Sequence, residues 1–412
     1  MSTAKLAERR IPSGNDFLKP DAVAALTHDE LRRRIEALVP LIAGHAAEAE
    51  RLRRPADAVW QALRDSGYFY QFVPKAFGGL ESGFELFIDT GMAIAEADAS
   101  TAWVATFCAE HNWIFSHFPA EAQEQVWRGR HPYIIAPAVA FPPGMAVAVD
   151  GGYRVTGHWR WGTGVMHADW IIGTVLLPRD GQMPEQMMVT FPAEQAEVLD
   201  TWFTDGMAAT GSNDIVVKDL FVPAPFAARN ISRAGKVTAK RFHDNPIFSV
   251  PMLPFLAMSA AIPALGAARG MVRAYREKLA KHVKWGTASA EAEKSAAHIR
   301  LAKADLLARS AELLVRDAAR QLIVAGALDE KEQSPRRQAL RAQIALAVRQ
   351  CRDAALVLME TAGSSVHSLD NPFQRAFRDI MVVASHVVFD TDVTLELHGR
   401  GMIGLSPNSM LS

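Results

Sequence analysis

The stretch Asn371-Pro-Phe-Gln-Arg375-Ala-Phe-Arg378-Asp379-Ile-Met-Val-Val-Ala-Ser-His386 carries the reading of this chain. Pro372 suits the first turn of a helix, where its missing N–H is no loss. Phe373, Phe377, Met381, Ala384 and Val388 then recur at three- and four-residue steps, the apolar stripe of an amphipathic helix. His386 stands off that stripe, with Val382 one turn before it and Asp390 one turn after. On such a helix Val382 and Val383 would desolvate the imidazole and lower its pKa. Asp390 would raise it and fix the tautomer. A histidine so placed can take or give a proton near neutral pH.

Outward from this stretch, the composition is that of a globular enzyme. The 412 residues are 49% hydrophobic and 22% charged, enough to bury a large core in two or three domains. A net charge of −1 offers nothing to nucleic acid or to an anionic membrane. No apolar run reaches the roughly 18 residues of a bilayer span. The charged N-terminus lacks a signal-peptide core, so a cytoplasmic protein is expected. Cys108 and Cys351 are too few for a disulfide framework or a zinc site and read as small buried hydrophobes. No HxxxH, HxxE or CxxC pattern suggests a metal.

Three blocks separate by pattern: residues 1–132, mostly helical; 133–230, rich in strands; and 231–412, Ala-, Leu- and Arg-rich with long helical periodicity. Thr27 is the expected cap of a surface helix from His28, and residues 97–103 open another. In the middle block Asp150-Gly-Gly marks a hairpin, and strands are expected from Tyr153, Trp170, Gln186 and Asp214. In the last block, breaks near Gly286, between Gly326 and Pro335, and between Gly363 and Pro372 predict four long antiparallel helices.

Helices, a small β-domain and a helical bundle, in that order, resemble the acyl-CoA dehydrogenase fold family. Four runs carry the resemblance: Arg64-Asp-Ser-Gly67 through Pro74-Lys-Ala-Phe-Gly-Gly; Gly151 through Trp161-Gly-Thr163-Gly164 to Trp170; Thr201-Trp202 through Gly206, Thr210-Gly211-Ser212-Asn213-Asp214 to Pro223; and the Arg378-Asp379 pair before an apolar helix. The implied fold is α+β, with an N-terminal helical domain, a middle β-barrel-like, flavin-binding domain and a C-terminal four-helix bundle. Where many dehydrogenases of that family carry their catalytic Glu, this chain has Val387, which cannot abstract a proton. His386 beside it is similar to the oxygenase branch, the two-component (group D) flavin monooxygenases.

The resemblance implies an oxygenase component that takes reduced FMN or FAD from a separate flavin reductase. It would use O2 through a C4a-hydroperoxyflavin and oxygenate an aromatic or heteroaromatic substrate. A homotetramer is implied as well, with the Ala-rich run from Ser259 to Gly270 allowing close approach between subunits. The absence of GxGxxG fits a protein that binds no nicotinamide coenzyme itself. Thr163 is the candidate hydrogen-bond partner of the flavin N5, between glycines that would let backbone approach the ring. Trp161, Gly164, Trp202 and Ser212 are further flavin-binding candidates, and Lys281 and Lys284 weaker ones for its phosphate. His386 and His111 are the candidate catalytic histidines, with His111, on an apolar helix, expected to bind a substrate hydroxyl. His117, His158 and His167 read as surface or hairpin residues. The stretch from Ile134 to Phe141 carries no hydroxyl, which implies an apolar pocket wall and a larger, less polar aromatic substrate. The alternative is an acyl-CoA dehydrogenase-like flavoprotein with a displaced base, supplied by Glu360 or Glu396.

Overall fold

The computed structural model describes residues 17–229, 242–281 and 295–409, and within them the chain runs helices, sheet, helices. The first group is α1 (Pro20–Ala24), α2 (His28–Leu52), α3 (Asp57–Ser66), α4 (Phe84–Ala97), α5 (Ala99–Phe115) and the short α6 (Ala120–Gln123). Thr27 caps α2 as expected, its hydroxyl accepting from Glu30 N at 3.2 Å. Asp98 caps α5 in the same way, from Thr101 N at 2.8 Å. Every α5 residue except Phe107 is buried, the polar Glu110, His111 and Asn112 included, so the helix lies inside the core.

Seven strands follow: β1 (Ala138–Val149), β2 (Gly152–Trp159), β3 (Trp170–Arg179), β4 (Gln182–Pro192), β5 (Glu197–Leu199), β6 (Asp214–Pro223) and β7 (Ala227–Ala228). They form one sheet in the order β5-β6-β2-β1-β3-β4-β7. Val149 pairs with Gly152, so Asp150 and Gly151 make the expected hairpin, with Gly151 at φ 74°. β1 is an addition to the sequence reading. Its Pro142-Pro143-Gly144 run interrupts the alternation, and its parallel register with β3 shifts between Val139 and Gly144.

The last group is α7 (Met252–Lys281), α8 (Ser295–Gly326), α9 (Glu330–Met359), α10 (Pro372–Ala384) and α11 (Thr391–Met402). This corrects the four-helix expectation in two places. Pro335 lies inside α9 rather than at a break. The fourth helix is two, because α10 ends at Ala384 and a single 3-10 turn, Val387–Phe389, intervenes. Val388 and His386 therefore lie beyond α10.

Helices on both sides of the sheet share one core: Leu63, Phe87 and Val104 pack in the same cluster as Leu265, Val348 and Ile380. The sheet has its own core around Trp159, Ile171 and Ile215. α7 is the axle of the shared core. It is long and apolar enough to cross a membrane, but 83% of its apolar window is buried within the protein. A Cβ at Gly266 would lie 2.5 Å from Met92 O, so glycine permits the close crossing of α7 on α4. The run from Ser259 to Gly270 is thus consumed inside the chain, where Ala260, Ala264 and Ala268 are buried, and is not a face left for another subunit.

Candidate active site

α5 sets out Trp103, Phe107 and His111 at four-residue steps, which puts them on one face. Trp103 and Phe107 stack with ring centres 4.6 Å apart, and His111 meets Phe107 edge-on at 5.6 Å. At the other end of this row His386 meets Trp103 edge-on, again at 5.6 Å. Trp103 Nε1 donates to Thr163 Oγ1 at 3.2 Å. The two candidate histidines and the candidate threonine are thereby joined by a single aromatic row. Trp103 and Phe107 are absent from the sequence-level candidates, and their four-residue spacing from His111 was the available signal.

The two imidazoles are held in opposite tautomers. His111 is buried, and its Nδ1 lies 2.5 Å from Ala136 O. A carbonyl only accepts, so Nδ1 carries the proton and Nε2 keeps a lone pair. Burial pushes the His111 pKa down to about 4, against the opposing pull of that carbonyl. His386 Nδ1 instead accepts from Val388 N at 3.3 Å, which leaves the proton on Nε2. Desolvation by the neighbouring protein shifts the His386 pKa downward, toward the neutral form, although the residue as a whole remains exposed. Asp390 is not its partner. That carboxylate caps α11, accepting from Asp392 N and Val393 N at 3.0 and 3.1 Å.

Thr163 heads a row of hydroxyls, 3.0 Å from Ser212 Oγ, which lies 2.8 Å from Thr210 Oγ1. Either hydroxyl of each pair can be the donor, so Thr163, which accepts from Trp103, can still offer a ligand either its proton or a lone pair. Gly164, at φ 79°, is small because α5 is close: a Cβ there would lie 3.0 Å from Cys108 Sγ. The tight approach that this glycine serves is therefore to protein. Trp161 is 62% exposed with φ 64°. Trp202 is half-buried and spends its indole N–H on Met207 O at 3.0 Å. Arg53, at the end of α2, grips Asp200 at 2.6 Å and lies over the Phe203 ring.

The segments carrying these groups also expose apolar surface, with Phe141 at 49%, Trp161 at 62% and Val387 at 60%. Arg160 N donates to Phe141 O at 3.2 Å, which sets Phe141 beside Trp161. Open aromatic side chains next to a row of hydroxyls suit a flat heteroaromatic cofactor. The expected apolar wall is only partly available, since residues 134–136 are buried against α5. Two surface depressions, of about 400 and 560 Å3, lie on the bundle beside Met402 and beside Leu306. Neither gathers the hydrogen-bonding groups found around Thr163.

Other candidates fare differently. His117 and His167 are buried, contrary to expectation, and bond to Trp113 O at 2.7 Å and Pro55 O at 2.9 Å. His158 is exposed and pairs with Asp214 at 2.8 Å. Glu360 and Glu396 are exposed, and Glu396 accepts from Asn408 at 2.8 Å. The Lys281 side chain and Lys284 lie outside the described residues. Among the described residues no group of three or more His, Cys, Asp or Glu could hold a metal ion.

Residues 258–391 match the family described as acyl-CoA dehydrogenase, C-terminal domain. A pigment production hydroxylase from a Rhodococcus species is 34% identical over 92% of this chain and 98% of its own length. The oxygenase component of an FADH(2)-dependent resorcinol hydroxylase from a Rhizobium species is 30% identical over 94% of this chain and 97% of its own. Among solved structures, XiaF from a Streptomyces species, in complex with FADH2 and glycerol, superposes with a TM-score of 0.85. Its identity is 28%, covering 94% of this chain and 98% of that one.

Proposed function

We propose, for a chain that belongs to the family of flavin-dependent hydroxylases built on the acyl-CoA dehydrogenase fold, that His111 serves the substrate and His386 the flavin. The chain is an oxidoreductase, the oxygenase component of a flavin-dependent monooxygenase that uses reduced flavin and O2. A flavin reductase is its partner and an aromatic compound its substrate. The names of the resorcinol hydroxylase and of the XiaF complex favour FADH2 over FMNH2.

The observation that carries the division of labour is the pair of opposite tautomers at the two ends of one aromatic row. Bound reduced flavin supplies the electrons that activate O2. Thr163 would hold it by a hydrogen bond between its hydroxyl and N5, and the exposed Trp161 would cover its ring. His386, a neutral donor through Nε2, would give a hydrogen bond to oxygen on the flavin side and exclude water with Val387 and Trp103.

His111 offers the reverse, a lone pair on Nε2, which suits the hydroxyl of a phenol. With its pKa near 4 it is too weak a base to ionise a resting phenol. Once the ring carbon takes up oxygen, the phenolic proton becomes strongly acidic and passes to Nε2. A phenol ring on a larger apolar body fits both this acceptor and the apolar stretch around Phe141. Four copies of the chain are expected to assemble.

The test is to supply chemically reduced FAD and follow oxygen uptake and product with resorcinol-type phenols. Uptake and hydroxylated product only when reduced flavin is supplied would support the assignment. A yellow protein whose bound flavin is reduced by an acyl-CoA would instead revive the dehydrogenase reading.

A further inference from the structure

The carbonyl that fixes the His111 tautomer is itself held by side chains that no catalytic assignment uses. His111 and its neighbour Asn112, both buried on α5, address alternate peptides of the extended stretch 134–136. Asn112 takes both polar groups of Ile134: its Oδ1 accepts from Ile134 N at 2.8 Å, and its Nδ2 donates to Ile134 O at 3.0 Å. His111 takes the carbonyl two residues on, Ala136 O. Ile135, between them, turns its polar groups the other way, where Asp169 Oδ1 accepts from Ile135 N at 2.7 Å. Asp169 N and Trp170 N both donate to Ile135 O, at 2.9 and 3.1 Å. Beyond them, Pro137 O accepts from Ile172 N at 2.9 Å, continuous with β3.

We propose that Asn112 and Asp169 are positioning residues that set the His111 tautomer by clamping the 134–136 backbone from its two sides. The proposal rests on the reading of His111 as the group that receives the substrate proton. The geometry leaves the clamp little slack. All four backbone polar groups of Ile134 and Ile135 are engaged, and the Ala136 carbonyl cannot swing away from Nδ1 unless one of those bonds breaks. Were it to swing, Nδ1 and Nε2 would compete for the proton and the lone pair would cease to face the substrate consistently. Asp169 acts through Oδ1 alone, since its Oδ2 has no hydrogen-bond partner among the described residues. Asparagine at this position can therefore do the same work. The clamp meets the aromatic row only at His111, and its bonds include neither His386 nor Thr163 at the other end.

The experiment is a double-mutant cycle read as product formed per O2 consumed. Asn112→Ser, which cannot span both peptide groups, and Asp169→Ala should each lower that ratio about tenfold, with Asp169→Asn within twofold of the unmodified protein. In a His111→Ala background the same changes should have no further effect. An equal loss in both backgrounds would show a role in general stability and overturn the proposal. A second readout needs no turnover: 15N labelling of histidine, with the His111 signals assigned by their disappearance in His111→Ala. The unmodified protein should show Nδ1 protonated, and Asn112→Ser and Asp169→Ala a tautomer mixture. Retention of the single Nδ1–H form in both variants would overturn the clamp. If His111→Ala leaves the product ratio unchanged while the tautomer does shift, the substrate role of His111 falls and the clamp stands.

Discussion

At His386 one backbone hydrogen bond, from Val388 N, fixes the tautomer that Asp390 was expected to fix. The fixed tautomer of each histidine follows from such a bond, and burial, which pushes the His111 pKa down to about 4, keeps that imidazole neutral over the working range. Coupling of oxygen use to product should accordingly show no inflection near pH 6.5. A sigmoidal change there that disappears in His111→Ala would contradict a neutral His111. Thr163→Ala removes a hydroxyl and also leaves the Trp103 N–H unpaired, an imbalance of about 1–3 kcal/mol. It should release peroxide about tenfold faster and melt lower, while Thr163→Ser retains both properties. Equal peroxide release in the two variants would remove Thr163 from the flavin site. Asp169 lends itself to a pH test. Burial raises its pKa to about 7 despite the opposing Arg64, with His131 3.9 Å away, against an ordinary value near 3.9. The folded state then binds the proton more readily than the unfolded state, so stability from this group falls as pH rises from about 4 to 7. Asp169→Asn lacks that loss, and its melting temperature relative to the parent should climb between pH 5 and 8. A constant difference would mean that Asp169 titrates normally.

Among the elements, α10 shows where periodicity informs and where it misleads. The stripe from Phe373 to Ala384 was legible and forms the helix, but the matching Val388 came from the next turn by coincidence of spacing. Ser385 ends α10, and the His386 side chain caps the following 3-10 turn. Such caps are hard to separate from continued helix when the next residues are valines. The strand from Asp214 was legible in full because of its β-branched run Ile215-Val216-Val217 and the Phe221-Val222-Pro223 that closes it. β1 was missed because its Pro142-Pro143-Gly144 run breaks the alternation, although its partner β2 is only a hairpin away. Distance in sequence hides the role of Asp379, whose carboxylate accepts from Met207 N at 2.5 Å and Ser100 Oγ at 3.3 Å. It ties α10 to the loop before β6 and to the first turn of α5. Asp379→Ala should lower the melting temperature and raise peroxide release together, because His386, Ser212 and Trp103 all hang from those three segments. A variant that melts normally would show the tie to be dispensable.

For the molecule as a whole, the order of helices, sheet and helices was readable from composition, whereas the sharing of one core by the two helical groups was not. That contact joins Phe87 to Phe255 through Phe72, pairs that no local pattern encodes. The site is split in the same way: His386, His111 and Thr163 were visible one by one as residue types, and the aromatic row that joins them exists only in the fold. With the Ala-rich run buried inside the chain, the exposed stripe Ile299, Leu306 and Leu313 on α8, at seven-residue spacing and 66%, 63% and 65% exposed, is the better surface for assembly. Light scattering should report about four chains at micromolar concentration, and Leu306→Glu should reduce that number. A monomeric parent protein would contradict the tetramer.

The division of labour between the two histidines is tested most directly by mixing each alanine variant, loaded with reduced flavin, with oxygen in the presence and absence of a phenolic substrate. Flavin reoxidation, product and hydrogen peroxide are followed together. His111→Ala should reoxidise flavin as the parent does but lose about 10²–10⁴ in hydroxylation rate, with peroxide replacing product. His386→Ala should change the reoxidation trace itself, whether or not substrate is present. Parental reoxidation and parental product yield in both variants would make these two histidines structural and contradict the assignment.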